Sequence, residues 1–180
     1  MTDNIAVSTL QGNQQSHRAA DYEHLTLDIA ALSQNKKINR YGYQVGILHL
    51  LVPGNTLSEV LRKYTLYPIP NTRDWLRGLV NLRGNLIPVY DVSILFGMAD
   101  SPANYDSLLI LDKGIEAVGI LIDKLPVICD LDHWQLLEES SPDIPAIEQF
   151  TKESYKKDDI IWSCFDHREY FKSIRNDVAL

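Results

Sequence analysis

Cys164-Phe165-Asp166-His167 places three potential ligands close together. A thiol, a carboxylate and an imidazole this close together are the makings of half a metal site, or of a nucleophile with its base. No second cluster completes it. The other histidines, His17, His24, His49 and His133, are scattered, and none pairs at i,i+4 with an accompanying acid. Cys164 falls in an apolar terminal strand, where a buried packing thiol is the plainer reading. Ser58-Glu59 and Glu138-Glu139 supply carboxylates that strand-edge or helix-surface charge explains as well. Asp91 follows an apolar strand, where a doubly wound fold would carry a phospho-acceptor. That fold needs long helical crossovers, whereas strands here succeed one another through tight turns, so Asp91 reads as an N-cap. There is no Walker-type loop, no Rossmann fingerprint and no Gly-x-Ser-x-Gly elbow. The expectation is a non-catalytic protein with no metal and no cofactor.

Recognition chemistry is better supplied. The stretch from Trp75 to Asp91 reads as two apolar strands around a turn. Gly84-Asn85 is the natural turn pair, since both residues tolerate positive φ. That turn sets Arg83 opposite Leu86, Leu82 opposite Ile87, Asn81 opposite Pro88 and Val80 opposite Val89. Val80, Leu82, Ile87 and Val89 then share a core-facing side. Asn81, Arg83, Pro88 and Tyr90 share the other. Pro88 lacks an N–H, which places its strand at an edge or a kink. A semi-polar face bearing an arginine reads either as a docking surface or as an ordinary solvated hairpin.

Positioning such a face requires a closed β structure, and the chain can build one. Its 180 residues are 45% apolar and 23% charged, ordinary for one globular domain or two small subdomains. A net charge of −7 and a pI near 5.1 disfavour nucleic acid and anionic membranes as partners. No run is long enough to span a bilayer, and the N-terminus lacks the pattern of a secretory signal. Cys129 and Cys164 read as reduced, buried thiols, so a cytoplasmic location without direct membrane insertion is expected.

Along the chain, residues 1–39 form an N-terminal extension. Residues 1–20 are polar and expected to be disordered. Leu25, Ile29 and Leu32 predict a short helix from Asp21 to about Lys37. Tyr41 to Val52 reads as one strand, with Gly42 and Gly46 at bulges or close approaches. A strand or turn-strand unit covers Leu57 to Leu66, and Asn71 or Thr72 caps a helical turn through Trp75. After the hairpin, Asp91 caps a helix over Val92 to Phe96, closed by Gly97. Strands follow at Leu108–Leu111, Ala117–Ile122 and Val127–Cys129. Asp132 caps a turn through Leu137. Further strands are expected at 147–155 and Ile160–Phe165, then a helix from about Asp166 to Ile174. Seven to nine short strands with few helices is an all-β barrel or sandwich pattern, and the Pro- and Asp-rich breaks point to two small barrels.

Gly78-Leu79-Val80-Asn81-Leu82-Arg83-Gly84-Asn85-Leu86-Ile87-Pro88-Val89-Tyr90-Asp91 resembles the signature hairpin of CheW-like domains. Four further segments agree: Leu57-Ser58-Glu59-Val60-Leu61, Ile69-Pro70 ahead of Trp75, Ala117 to Asp123, and Ile160 to Asp166. The resemblance covers about residues 40–175, leaving 176–180 as a tail. It implies two five-stranded SH3-like β-barrels around a shared apolar core. It implies an adaptor between the cytoplasmic tip of a chemoreceptor and the regulatory domain of a CheA-type histidine kinase. It carries partner-binding roles onto Leu57, Glu59, Gly78, Asn81, Arg83 and Gly84. The N-terminal extension and Pro68-Ile69-Pro70 are similar to the PilI-type coupling proteins of twitching-motility pathways. Trp162-Ser163-Cys164, where the family has aliphatics, is a departure. The rival reading is a freestanding SH3-like module that binds peptides and has no kinase partner.

Overall fold

Two consecutive runs, Ser107–Leu111 and Val118–Ile122, are apolar at nearly every position because both their faces are buried. Leu109, Leu111, Ile120 and Ile122 point into one apolar cluster, and Leu108, Ile110 and Leu121 into another. A strand packed on both sides hides its two-residue period behind a continuous apolar string. Each such Leu or Ile contributes about 1.5–3 kcal/mol by leaving water.

A computed structural model describes residues 24–27, 39–98, 105, 107–138, 144–175 and 177. In chain order the strands are β1 (His24–Leu27), β2 (Asn39–Val45), β3 (Leu48–Leu51), β4 (Ser58–Leu61), β5 (Leu66–Tyr67), β6 (Leu76–Leu82) and β7 (Asn85–Tyr90). Helix α1 (Val92–Leu95) comes next. Then follow β8 (Ser107–Leu111), β9 (Val118–Ile122), β10 (Val127–Asp130), β11 (Gln135–Leu136), β12 (Thr151–Lys157), β13 (Ile160–Phe165) and helix α2 (His167–Ser173). They form two sheets, ordered β1-β4-β8-β9-β7-β6-β5 and β10-β2-β3-β13-β12-β11. Without the short outer strands β1, β5 and β11, each sheet keeps five contiguous strands, the two-subdomain architecture expected from the sequence.

The largest cluster is shared. It takes Tyr43 and Leu50 from the second sheet, Val60 and Leu109 from the first, and Phe96, Phe165, Tyr170 and Phe171 from around the helices. A smaller cluster fills each subdomain, with Val80, Ile87 and Val89 in the first and Leu51, Cys129 and Cys164 in the second. Asp123 stitches the sheets together, its Oδ2 accepting from the Gly46 N–H at 2.7 Å.

Several sequence expectations need correction. His24–Leu27 is not helical: it pairs antiparallel with β4. The rest of the expected Asp21–Lys37 helix, and the polar stretch 1–20, lie outside the described residues. Tyr41 to Val52 is a hairpin, because Gly46 at φ 55° turns the chain. Gly42 is the close approach: a Cβ there would lie 2.4 Å from the Trp162 ring. No helical turn forms at Asn71-Thr72, where Thr72 Oγ1 donates to the Ile69 carbonyl instead. Asp130, not Asp132, caps the single turn Leu131–His133. Residues 145–150 form a 3-10 segment before β12 begins. Thirteen described strands exceed the seven to nine expected: β5 and β11 are two-residue strands that exist only through tertiary pairing, Tyr41 to Val52 splits into β2 and β3, and β1 stands where a helix was expected. Asp91 does cap α1, accepting from Ser93 and Ile94, and Asp166 caps α2.

Candidate functional site

The β6–β7 turn is Arg83-Gly84, one residue earlier than the sequence indicated. Both carry positive φ, 52° and 86°, and Leu82 pairs with Asn85, Asn81 with Leu86 and Val80 with Ile87. Arg83 tolerates this backbone because Asn81 Oδ1 accepts the Gly84 N–H at 2.9 Å and fixes the turn from the side. The core face survives the shift, but the semi-polar face expected on the other side does not: Tyr90 is buried in the shared core against Phe171 instead of standing out with Asn81 and Arg83. Val80, Leu82, Ile87 and Val89 still pack together, since sliding the turn by one residue moves each partner by two. Nor is β7 an edge strand. It lies between β6 and β9, and Pro88 falls just ahead of the residues bridged to β9.

From this turn Arg83 reaches Glu59 on β4. Nη1 donates to Oε2 at 3.0 Å and Nη2 to Oε1 at 2.8 Å, a fork of two parallel hydrogen bonds. Three strands separate β4 from β6 in the sheet order, so the fork exists only because the sheet curls into a cylinder. The arginine side chain is 60% exposed and the glutamate 12%. Arg83 and Leu82 form the wall between two open clefts. One, of about 650 Å³, is lined by Leu61, Tyr64, Tyr67 and Asn81. The other, of about 350 Å³, is lined by Leu57, Glu59, Ile87 and Lys113. Leu57 and Leu86 stand exposed beside them.

The structure thus brings Leu57, Glu59, Asn81, Arg83 and Gly84 to one end of the first barrel. Gly78 is different. It is buried at φ 136°, and a Cβ there would lie 2.3 Å from the Tyr67 carbonyl oxygen. It lets β5 close on β6 and touches the surface only through the backbone it shapes.

A second fork was not legible in the sequence. Asp112, in the turn after β8 at φ 64°, accepts from Arg168 Nε at 2.8 Å and from Arg168 Nη2. His167 Nε2 lies 2.7 Å from Asp112 Oδ2. An ionised carboxylate only accepts, so Nε2 carries the proton. Burial alone would raise the Asp112 pKa, but the hydrogen bonds and charges of His167 and Arg168 outweigh it and hold the carboxyl at about 2. This cluster clamps α2, which continues from the second sheet, onto the first.

None of these groups converges into a nucleophile, base and acid. His167 is committed to Asp112, and Cys164 is buried with its thiol pKa pushed up by desolvation. Among the described residues, no three His, Cys, Asp or Glu side chains are grouped to hold a metal ion. No described helix is long and apolar enough to cross a membrane. What the described residues present at this end of the barrel is an accessible arginine in a fork with Glu59 beside exposed apolar side chains.

Residues 42–174 match the family described as CheW-like domain. The chain is similar to the chemotaxis protein CheW of Thermotoga maritima, 27% identical over 82 residues, 46% of this chain and 54% of the relative. It is similar to protein PilI of Pseudomonas aeruginosa, 22% identical over 108 residues, 59% of this chain and 58% of the relative. These alignments span little more than half the length of each relative. In three dimensions it resembles the scaffolding protein TtCheW of Thermoanaerobacter tengcongensis, with a TM-score of 0.59 at 20% identity, covering 74% of this chain and 92% of that one.

Proposed function

The chain belongs to the CheW-like domain family, and on that premise we propose that it is a non-catalytic adaptor joining a CheA-type histidine kinase, through its regulatory domain, to the cytoplasmic tip of a chemoreceptor. The likeness to both CheW and PilI supports a place in chemotaxis or type IV pilus signalling. Such a protein works on the cytoplasmic side, recruited to receptor arrays. The supporting observation is the exposed Arg83–Glu59 fork between two clefts, with Leu57 and Leu86 beside it. A rigid patch keeps the ordering cost of binding low, and apolar side chains rimmed by charge suit protein partners. An arginine can transfer its fork to a partner's carboxylate, which a lysine cannot copy.

Co-purification tests this. The full chain, mixed with the kinase regulatory domain and a receptor tip fragment, is expected to retain each partner and to bridge them. Retention of neither would leave the freestanding peptide-binding module as the better account.

A further inference from the structure

The turn after β8 and the last helix form the two walls of a third cleft, of about 210 Å³, which neither Arg83 nor Glu59 lines. One wall is the single 3-10 turn Gly114–Glu116. At its tip Ile115 is 90% exposed, more than any other large apolar side chain among the described residues. The other wall is α2 with the turn that closes it, and it contributes Arg168, Lys172 and Arg175. Residues four and three apart lie on one side of a helix. The three cations therefore make a stripe about 10 Å long, at 1.5 Å per residue. Between the walls lie Pro88, Val118 and Phe171, the last with its ring 4.3 Å from that of Tyr90. Asp112 holds the walls together, since it starts the turn and accepts from His167 and Arg168 on α2. The cleft is thus preformed, which keeps the ordering cost of binding low.

Charge selects the occupant. The chain as a whole carries −7, yet this lining holds three cations and one carboxylate, Glu116. Arg168 is engaged by Asp112, and Lys172 lies 3.9 Å from Glu169. Arg175 makes no ion pair among the described residues, and its charge acts on the Tyr90 hydroxyl. A nucleic acid or an anionic membrane would also meet the acidic remainder of the surface, whereas a short acidic segment meets only the stripe. The volume falls below the roughly 300–1,000 Å³ of small-molecule pockets and suits a single large side chain. We propose that this cleft docks an acidic segment of a partner protein. One large apolar side chain of that segment enters between Ile115 and Phe171, and flanking carboxylates pair with Lys172 and Arg175. The site is separate from the Arg83 fork and does not rest on the adaptor reading.

The experiment titrates the full-length chain, labelled with nitrogen-15, with an end-blocked Glu-Glu-Phe-Glu-Glu peptide and follows the amide chemical shifts. Saturable shifts are expected at Ile115, Phe171 and Arg175, and none at Gly84 in the fork turn. Lys172→Glu/Arg175→Glu is expected to weaken the peptide by about tenfold or more. Ile115→Ser, and alanine in place of the peptide's phenylalanine, are each expected to weaken it about threefold or more. Arg83→Ala is expected to leave it unchanged. All three substituted positions on the cleft are exposed, so the melting temperature of each variant should stay near that of the unmodified chain. Absence of saturable shifts at the cleft, or an affinity that survives the double charge reversal, would overturn the site. So would binding lost in Arg83→Ala, which would move the peptide to the fork. An affinity indifferent to the phenylalanine would overturn the apolar anchor. Phosphatidylglycerol vesicles that bind the chain and displace the peptide would assign the stripe to a membrane surface and overturn the protein partner.

Discussion

Two arginine–carboxylate forks sit at different places on this fold. Arg168 and Asp112 are 35% and 10% exposed, joined by His167, and bind the last helix to the first barrel. Arg83 and Glu59 close across the same barrel, but the arginine stands 60% exposed between two clefts. The chemistry is the same and the surroundings differ. A shielded fork left without one partner strands a charge in a poor solvent, so it contributes to stability. An exposed fork contributes little to stability, because water replaces it readily. What it retains is geometry that a partner's carboxylate can take over. The contrast separates what holds this protein together from what it offers to others.

The largest effect is expected at neither fork. Gly78→Ala meets the Tyr67 backbone at 2.3 Å in a conformation reserved for glycine, and is expected to cost about 3 kcal/mol or more in a denaturant melt. That would show Gly78 to be needed for β5 to close on β6. Asp112→Asn keeps the positive-φ backbone, which asparagine tolerates, and removes the charge. A loss of about 2–4 kcal/mol is expected, with partner binding unchanged once the protein is folded. A loss under about 0.5 kcal/mol would erase the distinction between the forks. Glu59→Gln is expected to change stability by less than about 1 kcal/mol while weakening the arginine's orientation and hence binding.

Acid sharpens the same contrast. The Asp112 carboxyl has a folded-state pKa of about 2, below its ordinary 3.8. A depressed pKa gives stability that is full above the ordinary value and fades as pH falls from about 4 towards 2. The unmodified chain should therefore lose stability through that window, and Asp112→Asn should show a correspondingly shallower loss there. Parallel acid profiles would remove Asp112 from the account.

Much of this was legible from local pattern. The β class, the core face of the hairpin, the cap at Asp91 and a terminal helix starting near Asp166 follow from alternation and side-chain chemistry. Glu59 and Arg83 were each singled out, but nothing in one dimension joins residues 24 positions apart. The Asp112–Arg168 fork spans 56 positions and was invisible for the same reason. The hairpin turn was misplaced because asparagine and glycine outrank arginine at positive φ, until the Asn81 side chain is seen holding the turn. An apolar i,i+4,i+7 stripe argued for a helix where an unfilled edge on β4 draws out a strand. Tertiary pairing overrides local preference most easily in such short segments.

The central contrast is tested most directly by one paired measurement on Arg83→Ala, the dissociation constant for the kinase regulatory domain by calorimetry and the melting temperature of the same sample. Binding is expected to weaken by about 1–3 kcal/mol, roughly five- to 150-fold, with the melt shifted by no more than about 3 °C. An unchanged dissociation constant, or a melt that falls as far as that of Asp112→Asn, would contradict the account.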